Sequence, residues 1–291
     1  MQENKTKFNF GIWILLFFIL LLCVPLLMHF QQPKAAKFLG VIIAVTSIIA
    51  IRRWMYLTKK EAKVFISLND KFWLKENIPF YQELTKSEKV IFEDRVALFL
   101  TEIIVTEIGK EIPEKSTCLY VASSAVITFW GLPYWNYGRL SEVLVYPQNF
   151  NDDNSLNEQG HVLGKVHQGG LMDTTMILSL PALIAGFKNS NDKQNVGIHE
   201  FAHLIDKSSG IVNGVPVGMD PDDRKYWIQL CEEEMKAILK GNSDINAYGA
   251  TNKGEFFAVI VEYFKESPEI LEKKHPEIYQ ILTEYFSIQK N

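Results

Sequence analysis

Val196 to Asp206 reads VGIHEFAHLID, and on this stretch the fold of the 291-residue chain turns. If it is helical, His199 and His203 lie one turn apart on one face, where they can offer two imidazole nitrogens to a single tetrahedral metal. Glu200, on the next azimuth, then sits where it can take a proton from an attacking water. Ile198, Phe201, Ala202 and Ile205 make the opposite face, so the helix buries one side and turns both histidines to a cleft. A five-letter HExxH also arises by chance on surface helices. The apolar setting weighs against that account, and only Gly197 weakens the helix.

A catalytic zinc site takes three protein ligands. The elongated form of the motif needs Gly at 206 and His at 209, and Asp206 and Ser209 exclude it. Asp222 lies in DPDDRKYW, which better fits a helix start: Asp220 as cap, Pro221 in the first turn, Asp222 and Asp223 toward the positive end of the dipole. Glu232 to Glu234 read as a solvated face. Glu255 heads GEFFAVIVEYF, whose core side is Phe256, Phe257, Ile260 and Phe264. Glu255, Ala258 and Glu262 fall on another stripe. Glu255 is therefore a candidate third ligand, with Glu262 as a supporting carboxylate. A solvent-facing glutamate fits the same spacing, and the pattern leaves both open.

Around this centre, Leu84 to Leu100 is an amphipathic helical pattern, and EVLVY (Glu142–Tyr146) and TMILSL (Thr175–Leu180) are strand-like. The second of these suits an edge strand on which an extended peptide can pair. A polar, glycine-containing connection, 151–170, separates the two. Pro221–Lys240, Lys253–Glu266 and a closing segment read as helices. The expected architecture from residue 61 to 291 is a single α+β domain.

The N-terminus differs from all this. No charged residue lies between Lys7 and Lys34, and Phe10–Phe30 supplies the roughly 20 apolar residues that a bilayer core demands. A signal peptide has a shorter apolar core and a small-residue cleavage site, which do not fit here. A second apolar run, 35–56, makes a two-helix transmembrane hairpin the expectation, with residues 1–57 as anchor. An interfacial segment is the alternative. Lysines and arginines from 52 to 63 place the large domain on the cytoplasmic side by the positive-inside rule. The expectation is thus localisation at the inner (cytoplasmic) membrane, with the lipid bilayer as partner. HEFAH lies far beyond the last apolar run and follows NSNDKQN, which argues against an intramembrane protease.

Composition agrees with a chain of two characters. It is 47% hydrophobic and 22% charged, with a net charge of −4 and a mean hydropathy of +0.00. The mild acidity argues against nucleic acid as a partner. Cys23, Cys118 and Cys231 form no CxxC pair and no disulfide framework.

The ordered blocks FYQELTKSEKVIFEDRVALFL, SEVLVYPQNF, GIHEFAHLID, GIVNGVP, INAYGATNKGEFFAVIVEYF and SPEILEKKHPEIY resemble the Mlc titration factor A family of zinc-dependent peptidases, over residues 78–286. That family is of the zincin type with a glutamate ligand, related to the catalytic core of anthrax lethal factor. The resemblance implies a zincin-like metallopeptidase domain with Zn2+ held by His199, His203 and Glu255. It also implies Glu200 as general base and Tyr248 as an active-site phenol able to donate to an oxyanion. Tyr248 can equally be an aromatic packed on its loop. Asp206, three residues after His203, can orient an imidazole or cap the helix end. The partner implied is a peptide or protein substrate, with endo- and aminopeptidase action both open. The other reading is a binding module that sequesters a regulatory protein such as a repressor.

Overall fold

The structure, a computed structural model, describes residues 64–132, 136–149, 164–166, 174–189, 191–207 and 213–287. Lys63–Asn291 forms a compact unit. Its elements run α1 (Leu68–Asn77), α2 (Pro79–Glu83), α3 (Lys86–Glu102), β1 (Ile104–Glu107), α4 (Lys115–Thr128), β2 (Glu142–Tyr146), β3 (Gly164–Val166) and β4 (Thr175–Ser179). After them come α5 (Leu180–Lys188), α6 (Val196–Lys207), α7 (Pro221–Leu239), a 3-10 turn (Ala247–Ala250), α8 (Lys253–Glu266), α9 (Pro268–Lys274) and α10 (Pro276–Phe286).

Local chemistry accounts for several boundaries. Thr85 and Glu88 form a capping box at the start of α3, each side chain serving the other's backbone N–H. Ser179 ends β4 and caps α5 with its hydroxyl, and Pro181 fits the first turn. Asp220 caps α7 ahead of Pro221.

The sheet order is β1-β2-β4-β3, with β1, β2 and β4 parallel and β3 antiparallel to β4. All five β4 residues are buried, as an interior strand requires. The expected edge strand is therefore an inner one, because Gly164–Val166 pairs along its free side and forms the edge.

The fold expectation is corrected in a second respect. Among the described residues no helix is long and apolar enough to cross a membrane. The longest, α7, carries Asp222, Asp223, Arg224, Lys225, Glu232, Glu233, Glu234 and Lys236 along its length, too many charges for hydrocarbon. The runs on which the anchor rested, 10–30 and 35–56, lie outside the described residues. A membrane-anchored α+β architecture at the inner membrane gives way to a mostly helical domain with a small, largely parallel sheet.

α6 runs through the middle. Ile198, Phe201, Ala202 and Ile205 are buried, and Phe201 meets Phe99 and Tyr137 at ring distances of 5.7 and 5.9 Å. α4 and α8 pack along it. At the α4 crossing the helices nearly touch: a Cβ on Gly197 would collide with the Ser124 hydroxyl and stand 2.6 Å from Ser124 Cβ and 2.9 Å from Leu183 Cδ1. That approach explains the one poor helix former in the segment.

A charged hub ties the approach to α6 to the C-terminal helices. Asp244 accepts from Lys193 Nζ at 2.5 Å, Tyr263 Oη at 2.8 Å, His275 Nε2 at 2.9 Å and Lys274 Nζ at 3.0 Å. Lys193 sits in the left-handed region at φ 64°, at a cost of about 1–2 kcal/mol. Its ion pair and its position 4.1 Å above the Tyr263 ring offset that cost.

Two predictions follow from this packing. Gly197→Ala overpacks the α4–α6 crossing and should destabilise by about 1–3 kcal/mol, read as a lower urea midpoint with an unchanged slope; a midpoint at or above wild type counts against the close crossing. The Asp244 prediction concerns pH. Burial favours the neutral acid, but hydrogen bonds from Lys193, His275, Tyr263 and Lys274 prevail and hold the carboxyl far below its ordinary range. Burial likewise disfavours the His275 cation, and Glu234 and Asp244 outweigh it and raise the imidazole. A depressed acid stabilises above its unfolded value, about 3.9, and the contribution is lost as pH falls through the folded one. A raised histidine stabilises below about 6.5, and the contribution is lost as pH rises through the folded value. Asp244→Asn should therefore cost most between about pH 4 and 6.5, measured as the gap in urea midpoint between wild type and variant; a gap independent of pH contradicts the charge-based account.

Candidate metal centre

Burial of α6 extends to its polar face. His199, Glu200, His203 and Asp206 are all buried, so each needs a partner that desolvation does not remove. α8 supplies most of them. Asn252 caps α8 by accepting from the Glu255 N–H at 3.0 Å, which places Glu255 in the first turn, where the dipole favours a carboxylate.

From there Glu255 Oε2 reaches His199 Nε2 at 2.9 Å and His203 Nε2 at 3.4 Å. One donor atom from each of the three residues lies within 4.8 Å of the others. Two turns along α8, Glu262 Oε1 accepts from His199 Nδ1 at 2.6 Å, while its Oε2 accepts from the Asn195 N–H at 2.6 Å. With the proton kept on Nδ1 by Glu262, the Nε2 lone pair of neutral His199 points at the space shared with His203 and Glu255. His203 Nδ1 is buried and has no hydrogen-bond partner among the described residues.

The charges follow from these contacts. Burial opposes protonation of His199, but Glu255 and Glu262 outweigh it and raise its pKa to about 10. Burial would raise Glu255, but hydrogen bonds from His199 and His203 win and lower it to about 2. Glu200 is raised, chiefly by burial, with both histidines opposing. Without a cation, then, Glu255 holds the three converging groups together, through the proton at His199 Nε2 and the longer contact to His203.

Tyr248 lies on the 3-10 turn that Asn246 caps at 3.0 Å. Its ring centroid is 5.8 Å from that of His199, and 54% of the residue is exposed. It borders the centre from the solvent side. Asp206 faces another way. Its carboxylate accepts from the N–H groups of Asn213 and Gly214 at 3.1 and 2.9 Å, and burial raises its pKa against those bonds. Gly214, at φ +76°, leaves no room for a Cβ against the Lys253 carbonyl, and its own carbonyl accepts from Trp227 Nε1 at 2.6 Å. Asp206 thus pins the turn that abuts the start of α8.

Of the seven residues singled out in the sequence, His199, His203 and Glu255 converge, Glu262 backs His199 from Nδ1, Glu200 and Tyr248 lie beside them, and Asp206 is one layer out. Asn195, just before the motif, had no signal beyond being a good capping residue, yet it holds Glu262.

The chain matches the family described as glucose-regulated metallo-peptidase M90 over residues 51–287. It is 29% identical over 226 residues to an uncharacterized protein of Synechocystis sp., a match covering 74% of this chain and 82% of the relative. To Mlc titration factor A of Yersinia pestis and of Yersinia pseudotuberculosis it is 29% identical over 157 residues, 50% of this chain and 57% of each relative. The chain thus spans little more than half the length of those two. With residues 51–287 of its 291 matched, the chain belongs to the glucose-regulated metallo-peptidase M90 family, and the likeness to Mlc titration factor A agrees with that membership.

Proposed function

We propose that this chain is a zinc metallopeptidase that hydrolyses peptide bonds, with His199 Nε2, His203 Nε2 and a Glu255 carboxylate oxygen as the zinc ligands. The observation that carries the reading is the convergence of those three donors beside buried Glu200. The donor set suits the ion. Bonds of about 2.0–2.1 Å at tetrahedral angles put ligand atoms roughly 3.3 Å apart, and the separations from Glu255, 2.9 and 3.4 Å, bracket that value. Two imidazoles and one carboxylate also leave a fourth position open, as in catalytic zinc sites.

Zinc bound there would lower the pKa of a coordinated water toward about 7 and polarise the scissile carbonyl. Glu200 takes the proton of the attacking water and delivers it to the leaving amine; its raised proton affinity suits both steps. Glu262 keeps the His199 proton on Nδ1. Tyr248, half exposed beside His199, can turn its hydroxyl toward a developing oxyanion.

A second reading, capture of a regulatory protein, draws on the name of the Yersinia relatives alone. The same variant separates the two. Glu200→Gln should retain one zinc per chain by elemental analysis yet lower cleavage of a peptide library by about 100-fold or more. Turnover equal to wild type overturns Glu200 as base, and a physiological effect that survives in this variant favours capture. Metal uptake should also depend on pH. Glu255 and Glu262 hold the His199 proton well above the usual imidazole range in the metal-free chain, and a cation must displace it. Zinc affinity should therefore rise about tenfold per pH unit between roughly pH 6 and 9, with near one proton released per ion in calorimetry in two buffers. No proton release would mean that His199 is already neutral.

A further inference from the structure

Asn195 is 2% exposed, and no catalytic motif includes it. Its side-chain oxygen accepts from the Ile198 N–H at 3.1 Å and its carbonyl from the His199 N–H at 2.9 Å, so it caps α6. A cap alone does not require asparagine, since aspartate serves as well and suits the dipole. Asn195 has two further contacts, both to α8. Its backbone N–H holds Glu262 Oε2 at 2.6 Å, and its side chain lies close enough to Glu266, one turn beyond Glu262, to favour that carboxylate. α5 closes the other side: a Cβ on Gly186 would stand 2.8 Å from Asn195 Cγ. Asn195 therefore has no room to swing away from the two carboxylates.

From this we infer that Asn195 is a positioning residue for His199, acting through Glu262. Its N–H fixes one oxygen of Glu262, which leaves the other to orient the His199 ring. Its neutral amide, beside Glu266, adds no further charge to the two carboxyls. Burial pushes Glu266 up to about 8, and the charge of Glu262 adds to this. A carboxylate at 195 would be a third acid in this closed space. It would repel Glu262 from the N–H and from His199, while still capping the helix. The inference rests on the zinc reading only for what the orientation is used for; the orientation itself exists in the metal-free chain.

The test uses the full chain as wild type, Asn195→Asp, Glu266→Gln and the double variant. In metal-free protein, long-range 1H–15N correlation reports the His199 Nδ1 proton, which in wild type should be slow to exchange. Asn195→Asp should lose that protection while backbone 1H–15N shifts away from α6 and α8 match wild type, because the cap and the fold survive. Its zinc affinity by chelator competition should fall about 10–100-fold, and kcat should fall while KM holds. Glu266→Gln added to Asn195→Asp should restore the Nδ1 signal and the affinity, since it removes one of the three acids and supplies an N–H donor at every pH. If Asn195→Asp matches wild type in Nδ1 protection and zinc affinity, Asn195 is only a cap and the inference is overturned. If wild type binds no zinc while Nδ1 protection still depends on residue 195, the zinc reading fails and the positioning role stands.

Discussion

Desolvation of the polar face of α6 is the constraint on which the rest of the domain depends. A helix packed on all sides cannot leave two imidazoles and a carboxylate to water, and burying them unpaired costs several kcal/mol each. The domain answers with one other helix. α8 brings Glu255 to Nε2 of His199 and Glu262 to its Nδ1, so a single imidazole is bonded at both ends by residues two turns apart. The crossing of α6 and α8 follows from those two contacts as much as from Phe256 and Ile260 beneath them, both fully buried.

Further elements hold that crossing in place. Gly197 lets α4 press against α6 from behind. Asp206 gathers the 213–214 turn, and Trp227 binds the same turn from α7. The Asp244 hub clamps Lys193, two residues before Asn195, to α8 and to the α9–α10 junction. Each lies outside the ring of candidate ligands, and each fixes a segment that carries one of them. A cluster of acids and histidines stable without a cation needs such framing, since its own attractions are spent against desolvation.

The sequence made the site more legible than the fold. HEFAH has a fixed spacing with direct chemical meaning, and Glu255 and Glu262 fall on one stripe of a strongly periodic helix. β2, at Glu142–Tyr146, could be read from its alternation. Other elements were hidden for physical reasons. β1 and β3, of four and three residues, are too short for a periodic signal. α4 is apolar nearly all round, with Leu119–Thr128 buried throughout, so no amphipathic stripe marks it. β4 reads as a short apolar run whether it lies inside the sheet or at its edge, and only the pairing with β3 decides. Asp206 shows the limit of local spacing: one turn from His203 it could serve an imidazole, but a turn seven residues ahead competes for it through two N–H groups.

The two histidines are not equivalent, and the asymmetry bears on how such a centre forms. Glu262 holds the ring plane of His199 through Nδ1, whereas His203 Nδ1 has no partner among the described residues. His203 is held through Nε2 alone, by the 3.4 Å contact to Glu255. A cation held as proposed would find one preset nitrogen and a carboxylate already within 3.4 Å of the second histidine. The pair of carboxylates on α8 would serve both states: on the proposed reading Glu255 would exchange the His199 proton for a cation, while Glu262 would keep its hydrogen bond to Nδ1.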